Sequence, residues 1–188
     1  MLSVRIHPFA GVDANLLAEV ASSLAEEFGI DVERGDTLPV PESYSRMRGK
    51  FRSDVFLGAL KARRAGFMGQ AGKMAPLTVG VSDRDLFVPE LNFIFGQADT
   101  KSGVAVVSIA RLNAEHYSRD PDQELLKERT IKEVTHEIGH IFGLSHCMKP
   151  ECIMFFSANV TETDQKGPGF CAACSLWLRS EIAAAPRD

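Results

Sequence analysis

Residues 136–146 read His136-Glu137-Ile138-Gly139-His140-Ile141-Phe142-Gly143-Leu144-Ser145-His146, the string H-E-x-x-H-x-x-G-x-x-H. Each fixed position in this string carries a separate physical demand. His136 and His140 stand four apart, so on an α-helix both imidazoles leave the same face and can hold one ion. Glu137 follows the first of them, where its carboxylate reaches a water on that ion without becoming a ligand itself. Gly143 accepts the left-handed backbone that ends a helix. The chain must then turn back so that His146 supplies a third nitrogen. Three protein nitrogens leave one position of a tetrahedral zinc open, as in catalytic rather than structural sites. A bare H-E-x-x-H also fits two solvated histidines on a surface helix. Gly143 and His146, at their spacings, are what favour the metal.

The chain has four cysteines, all after His146: Cys147, Cys152, Cys171 and Cys174, in the pattern C-x4-C…C-x2-C. Short paired spacings separated by a longer loop are those of a zinc site, and four thiolates would close a tetrahedral structural one. Two disulfides, or four unrelated buried thiols, are the competing explanations. The run Met1-Leu2-Ser3-Val4-Arg5-Ile6 has no basic segment followed by an apolar stretch. A signal peptide is therefore not expected, the expected location is cytoplasmic, and disulfides are disfavoured there. Two zinc ions per chain are expected, one catalytic and one structural.

Residues 136–174, with His146 and Cys147 adjacent and Met154 two positions after Cys152, resemble the archaemetzincins. In this family of metzincin-clan zinc metalloproteases, the zinc helix runs directly into a four-cysteine zinc site. Leu91-Asn92-Phe93-Ile94-Phe95-Gly96 and Gly103-Val104-Ala105-Val106-Val107-Ser108 are similar to the family as well. The family's spacing from the methionine to the third cysteine is one residue longer, a loop difference that leaves the ligands in place. The resemblance implies an α/β (α+β) fold of zincin or metzincin type. It has a mixed twisted sheet with an edge strand, a long zinc-binding helix, and a cleft. An N-terminal subdomain (1–143) would carry the active-site helix. A small C-terminal subdomain (144–188) would carry His146, a Met-turn at Met154 and the four-cysteine zinc site. Met154 would lie beneath the ligands without being one. Residues 91–96, continuing to 97–98, would form the strand that pairs with an extended substrate; an ordinary core strand is the equal alternative. Phe155 and Phe156 line a substrate pocket or belong to the core. Where some metzincins place a tyrosine after the methionine, this chain has Phe155-Phe156-Ser157.

At 188 residues, 45% apolar and 24% charged, the chain makes one globular domain. A net charge of −4 argues against a nucleic-acid partner, and Lys149 and Lys166 are too few to give the cysteine site a basic face. No apolar run approaches the ~20 residues that span a bilayer, so no membrane partner is expected. The expected partner is a peptide or protein substrate, met by a monomer.

Alternation of Leu2, Val4 and Ile6 predicts a first strand. Asp13 caps a helix carrying Leu16, Leu17, Val20, Leu24 and Phe28, and Gly29 stops it. Residues 30–34 read as a strand and 35–50 as a long loop. A second helix spans 53–65, closed by Gly66, and Gly66, Gly69, Gly72 and Pro76 mark a mobile connection. Runs at 77–81, 87–88, 91–95 and 104–109 read as strands. Asp120 caps the zinc helix, with Pro121 at its first position and Ile131, Val134, Ile138, Ile141 and Phe142 as its apolar stripe. A last helix covers 171–185 around Leu176, Trp177 and Ile182. His7 and His116 are structural or solvated, and nothing ties Tyr117, Asp83, Asp85 or Glu90 to the zinc.

The expected function is zinc-dependent hydrolysis of peptide bonds, with Glu137 as general base towards a zinc-bound water. The alternative is a protease-fold zinc protein with little turnover that serves as a binding module. An intact Glu137 counts against it. Because His146 and Cys147 are neighbours, the two metal sites should be coupled through one short segment. Replacing both Cys171 and Cys174 by serine should weaken zinc retention by the histidines as well as by the cysteines. Chelator competition measures this, and unchanged histidine-site affinity would refute the coupling.

Overall fold

Alternation along residues 104–108 places the core. Val104 and Val106 face one hydrophobic cluster, while Ala105 and Val107 face another, and all four are buried. A strand covered on both faces has to sit inside a sheet with layers on either side.

The computed structural model describes residues 2–67 and 75–184. In chain order its elements are β1 (Ser3–Pro8), α1 (Ala14–Phe28), β2 (Asp31–Arg34), β3 (Tyr44–Ser45), β4 (Lys50–Arg52), α2 (Ser53–Ala65), β5 (Leu77–Ser82), β6 (Leu86–Val88), β7 (Leu91–Ile94), β8 (Gly96–Asp99), β9 (Val104–Ser108), α3 (Gln123–Ile141), α4 (Val160–Gln165) and α5 (Ala172–Ala184). A 3-10 turn covers Ala114–Tyr117. The main sheet has the order β2-β1-β5-β9-β8, parallel except for β8, which runs antiparallel to β9 at the edge. A smaller sheet has the order β3-β4-β6-β7. This is the mixed α/β architecture expected. Most of the connection expected over 66–76, and the end of the last helix at Ala185, lie outside the described residues.

Helices α1 and α3 cover one face of the main sheet, burying Leu17, Val20, Leu24, Val134 and Ile138 against Val4, Ile6, Val79, Val81 and Val107. On the other face α2 brings Phe56 and Leu60 against Phe9 and Val106. Gly80 on central β5 makes that approach feasible. A Cβ there would lie 2.7 Å from the Phe9 ring and 2.9 Å from Leu60. Helix α1 starts and stops as its sequence predicts. Asp13 accepts a hydrogen bond from Asn15 N at 2.9 Å, and Gly29 sits at φ 62°.

Three expectations need correcting. The substrate strand expected over 91–96, continuing to 97–98, is not one strand, because the run 91–95 is β7, which ends at Ile94. β7 pairs with β6 in the small sheet, whereas β8 pairs with β9 in the main one. The chain changes sheets at Phe95, whose side chain is buried in the α3-side core and whose carbonyl accepts from Ser108 N at 2.7 Å. The loop expected over 35–50 contains β3 and leads into β4, a hairpin too short to show an apolar period. The zinc helix begins at Gln123, capped by Asp122 rather than Asp120. Both aspartates carry the local signal, but the Asp122 carboxylate is the one that meets an unpaired helix N–H, that of Leu125 at 2.9 Å.

Helix α3 is more deeply buried than its apolar stripe predicts. Arg129, Lys132, Glu133, His136 and Glu137 are all buried beside Val134 and Ile138. Their partners come mainly from α4, which had no apolar period to betray it. Arg129 grips Asp164 with two parallel bonds of 2.6 and 2.7 Å and donates to Leu112 O at 2.7 Å. Thr163 O and Asp164 O accept from Lys132, and Thr163 Oγ1 donates to Glu133. A capping box was the available signal for α4. Asn159 Oδ1 accepts from Glu162 N, and the Glu162 carboxylate accepts from Ala158 N. Arg129→Met should lower stability by about 2–3 kcal/mol, because it strands buried Leu112 O and leaves the Asp164 carboxylate without its two-pronged partner. The midpoint of urea unfolding reads this directly.

Candidate active site

Helix α3 ends in a Schellman motif. Leu144 N donates to Gly139 O at 3.1 Å and Gly143 N to His140 O at 3.0 Å, with Gly143 at φ +84°. The reversal is the one that Gly143 predicts, and it returns the following segment along the helix. The ligand-type nitrogens of His136, His140 and His146 then lie within 4.8 Å of one another. His136 is buried, His140 half-buried and His146 exposed.

The tautomers follow from the neighbours. His136 Nδ1 lies 2.8 Å from Ile153 O, and His140 Nδ1 lies 2.7 Å from Leu144 O. A carbonyl only accepts, so both Nδ1 atoms carry the proton and both Nε2 atoms present lone pairs. These Nε2 atoms are 3.0 Å apart. Two facing lone pairs cannot form a hydrogen bond, and their closeness calls for a cation between them. The separation is near the ~3.3 Å edge of a tetrahedron with zinc–nitrogen bonds of 2.0–2.1 Å. The donor set therefore fits zinc. Burial is the largest influence on all three rings and pushes each pKa below the usual histidine value, most strongly at His136. The imidazoles are thus held neutral, the form that binds metal.

Glu137 faces the same cavity, with Oε2 buried and unpartnered. Burial, followed by the nearby Glu133 carboxylate, raises its pKa well above the usual range, against a smaller opposing effect from Lys166. Its Oε1 lies against Gly96 of β8, where a Cβ would approach within 2.4 Å. Gly96 thus makes room for the carboxylate. Gly139, two residues after Glu137, does the same for Met154, since a Cβ there would lie 2.5 Å from Met154 Sδ. Met154 is fully buried under the helix, as its expected packing role requires.

Cys147, Cys152, Cys171 and Cys174 form a second cluster with all sulfurs within 4.8 Å and no disulfide. Cys147 and Cys171 Sγ are 3.9 Å apart, close to the ~3.8 Å edge of a tetrahedron with 2.3 Å zinc–sulfur bonds. Cys171 N donates to Cys152 Sγ at 3.3 Å. The Cys174 backbone N–H is the main influence drawing the Cys171 thiol down to about 7, towards the thiolate that binds metal. Neighbouring His146 and Cys147 thus serve different clusters, as opposite-facing side chains in an extended segment predict.

A cavity of about 470 Å³ opens over the histidines. Gly96, Gln97 and Ala98 of edge strand β8 line it, as do Leu91, Phe93, Phe95 and Phe156. Phe156 therefore faces the cleft, while Phe155 is not among its lining residues. Asp83, Asp85, Glu90, His7, His116 and Tyr117 do not line it either. His7 bonds Asp36 O at 2.9 Å, and Tyr117 OH donates to Arg111 O at 3.0 Å. Glu133, Ser157 and Lys166 do line the cavity, and sequence spacing gave no hint of them. Chemically, three converging nitrogens beside a buried carboxylate are the parts that metal-assisted hydrolysis requires.

The model of peptidase family M54 matches residues 30–180. The archaemetzincin of Thermococcus kodakarensis is 42% identical over 167 residues, 86% of each chain. Among solved structures, a zinc-dependent peptidase from Methanocorpusculum labreanum superposes with a TM-score of 0.84 at 31% identity, covering 93% of this chain and 99% of that one. The archaemetzincin of Methanopyrus kandleri gives 0.80 at 34% identity, covering 97% and 96%.

Gly96→Ala should push the Glu137 carboxylate out of place and reduce hydrolytic turnover about 100-fold, the scale of an ångström-sized misplacement. Zinc content, measured by metal analysis, should not change. Undiminished turnover would mean that the carboxylate has room elsewhere.

Proposed function

Since this chain belongs to peptidase family M54, the archaemetzincins, and is a zinc metallopeptidase, we propose that His136, His140 and His146 hold its catalytic zinc and that Glu137 is its general base. The observation that carries this reading is the convergence of lone pairs. Two Nε2 atoms fixed by carbonyls face each other at 3.0 Å, beside a buried carboxylate oxygen with no partner.

Zinc bound there supplies a Lewis acid that brings the pKa of its water down to about 7 and polarises the scissile carbonyl. Glu137 takes a proton from the attacking water and passes it to the leaving amine, atom for atom the proton balance of amide hydrolysis. Burial suits it to the task, because a carboxylate in an apolar pocket holds a proton more readily than one in water. Ile153 O and Leu144 O keep the two imidazoles in the metal-binding tautomer. A second zinc at Cys147, Cys152, Cys171 and Cys174 acts structurally, closing the region after Gly143 (144–188) into a small subdomain against the N-terminal one (1–143). An extended peptide adds to the free edge of β8, where main-chain bonds ask little of sequence. The edge strand is thus Gly96–Asp99 rather than the run 91–96.

Peptide-library cleavage read by mass spectrometry tests the assignment. Zinc-loaded wild type should cut, and Glu137→Ala should retain its zinc while losing about 100-fold or more of the rate. The positions of the cuts separate aminopeptidase from endopeptidase. Equal cutting by both proteins would place the base elsewhere.

A further inference from the structure

The cleft contains more donors than peptide-bond hydrolysis uses. Besides the histidines and Glu137, its lining includes Ser157 and Lys166, set among apolar walls from Phe93, Phe95 and Phe156. Ser157 Oγ and Lys166 Nζ are both buried, and neither has a hydrogen-bond partner. Lys166 is 2% exposed, and its one ionic neighbour is Glu133 Oε1 at 2.9 Å.

A second buried lysine shows how unusual this is. Lys132, 4% exposed, spends its ammonium on Thr163 O at 3.3 Å, Asp164 O at 3.2 Å and Glu128 Oε1 at 2.8 Å. An ammonium has three N–H donors. Lys132 has an acceptor for each, does not line the cleft, and reads as scaffold. Lys166 has one acceptor and does line the cleft. Glu133 is shared, since the same Oε1 also accepts from Thr163 Oγ1 at 3.1 Å. Buried donors left over are costly unless something arrives to accept from them.

We propose that Lys166 and Ser157 form a carboxylate-binding subsite within the cleft, so that this peptidase selects substrates carrying an acidic group close to the scissile bond. The inference rests on the peptidase reading above and adds its substrate class. The acceptor is a carboxylate because Lys166, the one lysine or arginine among the lining residues, brings a full charge and Ser157 adds a hydroxyl to the same cavity. Long-range attraction is not the cause. The chain's net charge of −4 repels acidic peptides at a distance, so a preference for them has to arise locally.

The acidic group is either a side chain or a chain terminus, and one experiment separates them. Glutamate or isosteric glutamine is walked through a hexa-alanine peptide, each version with a free or an amidated C-terminus. Binding to zinc-loaded Glu137→Ala protein is measured by calorimetry. At one position Glu should bind about 10-fold or more tightly than Gln if a side chain is read. If the terminus is read, the free acid should exceed the amide by as much. The preference should vanish when Lys166→Met and Glu133→Gln are combined, a pair that leaves no unmatched buried charge. It should fall about 3-fold or more in Ser157→Ala, a change mild enough to keep the fold. Thermal midpoint and zinc content check both backgrounds. No acid preference, no peptide binding, a preference that survives the substitutions, or an equal loss for acidic and amide peptides overturns the subsite. The readout is binding, so failure of wild type to cleave peptides would count against the peptidase mechanism separately.

Discussion

The cleft depends on the reversal at Gly143. Helix α3 alone offers two imidazoles and a carboxylate on its surface, with nothing to fix their ring orientation. The Schellman turn brings Leu144 O to His140, and the returning segment brings Ile153 O to His136. Each carbonyl removes one tautomer from consideration, so both Nε2 lone pairs point to one place. The same segment delivers His146 and, one residue on, Cys147. Orientation, third histidine and second cluster thus follow from one change of chain direction, made feasible by a glycine at positive φ.

Keeping the returning segment in place is a polar task as well as an apolar one. Helix α3 is buried nearly all round, although about half of its buried residues carry charge or hydrogen-bonding groups. Short α4 supplies the matching groups: Asp164 for Arg129, two carbonyls for Lys132, and Thr163 for Glu133. Such pairs add little net stability over apolar packing, but a misaligned one is costly, which fixes the relative position of the two helices. Trp177 of α5 adds a further tie by donating to Phe142 O at 3.1 Å. The four cysteines close the same region from its far end.

Two glycines show how tightly the site is built. Gly96 leaves space for the Glu137 carboxylate, and Gly139 leaves space for the Met154 sulfur. One protects the buried carboxylate and the other the floor beneath the three histidines. In both cases a missing Cβ is what the neighbouring side chain occupies. Lys166 is the counterpart on the polar side of the cleft. In the sequence it looks like one more surface lysine, but it is buried with donors to spare.

By itself the sequence determined what is local in period or spacing. The H-E-x-x-H-x-x-G-x-x-H string and the four clustered cysteines named every residue of both metal-type clusters. The cap at Asp13, the stop at Gly29 and the turn at Gly143 needed only rules that act within a few residues. Alternation located most of the main-sheet strands. Tertiary structure decided what depends on partners far along the chain. Asp122 rather than Asp120 caps α3. The segment 91–98 splits between two sheets at Phe95. Glu133, Ser157 and Lys166 meet in one cleft, although Glu133 and Lys166 stand 33 positions apart. The reason is physical. A spacing rule reads side chains that share one helix face or one turn, whereas burial of a charge is set by whichever distant segment folds over it.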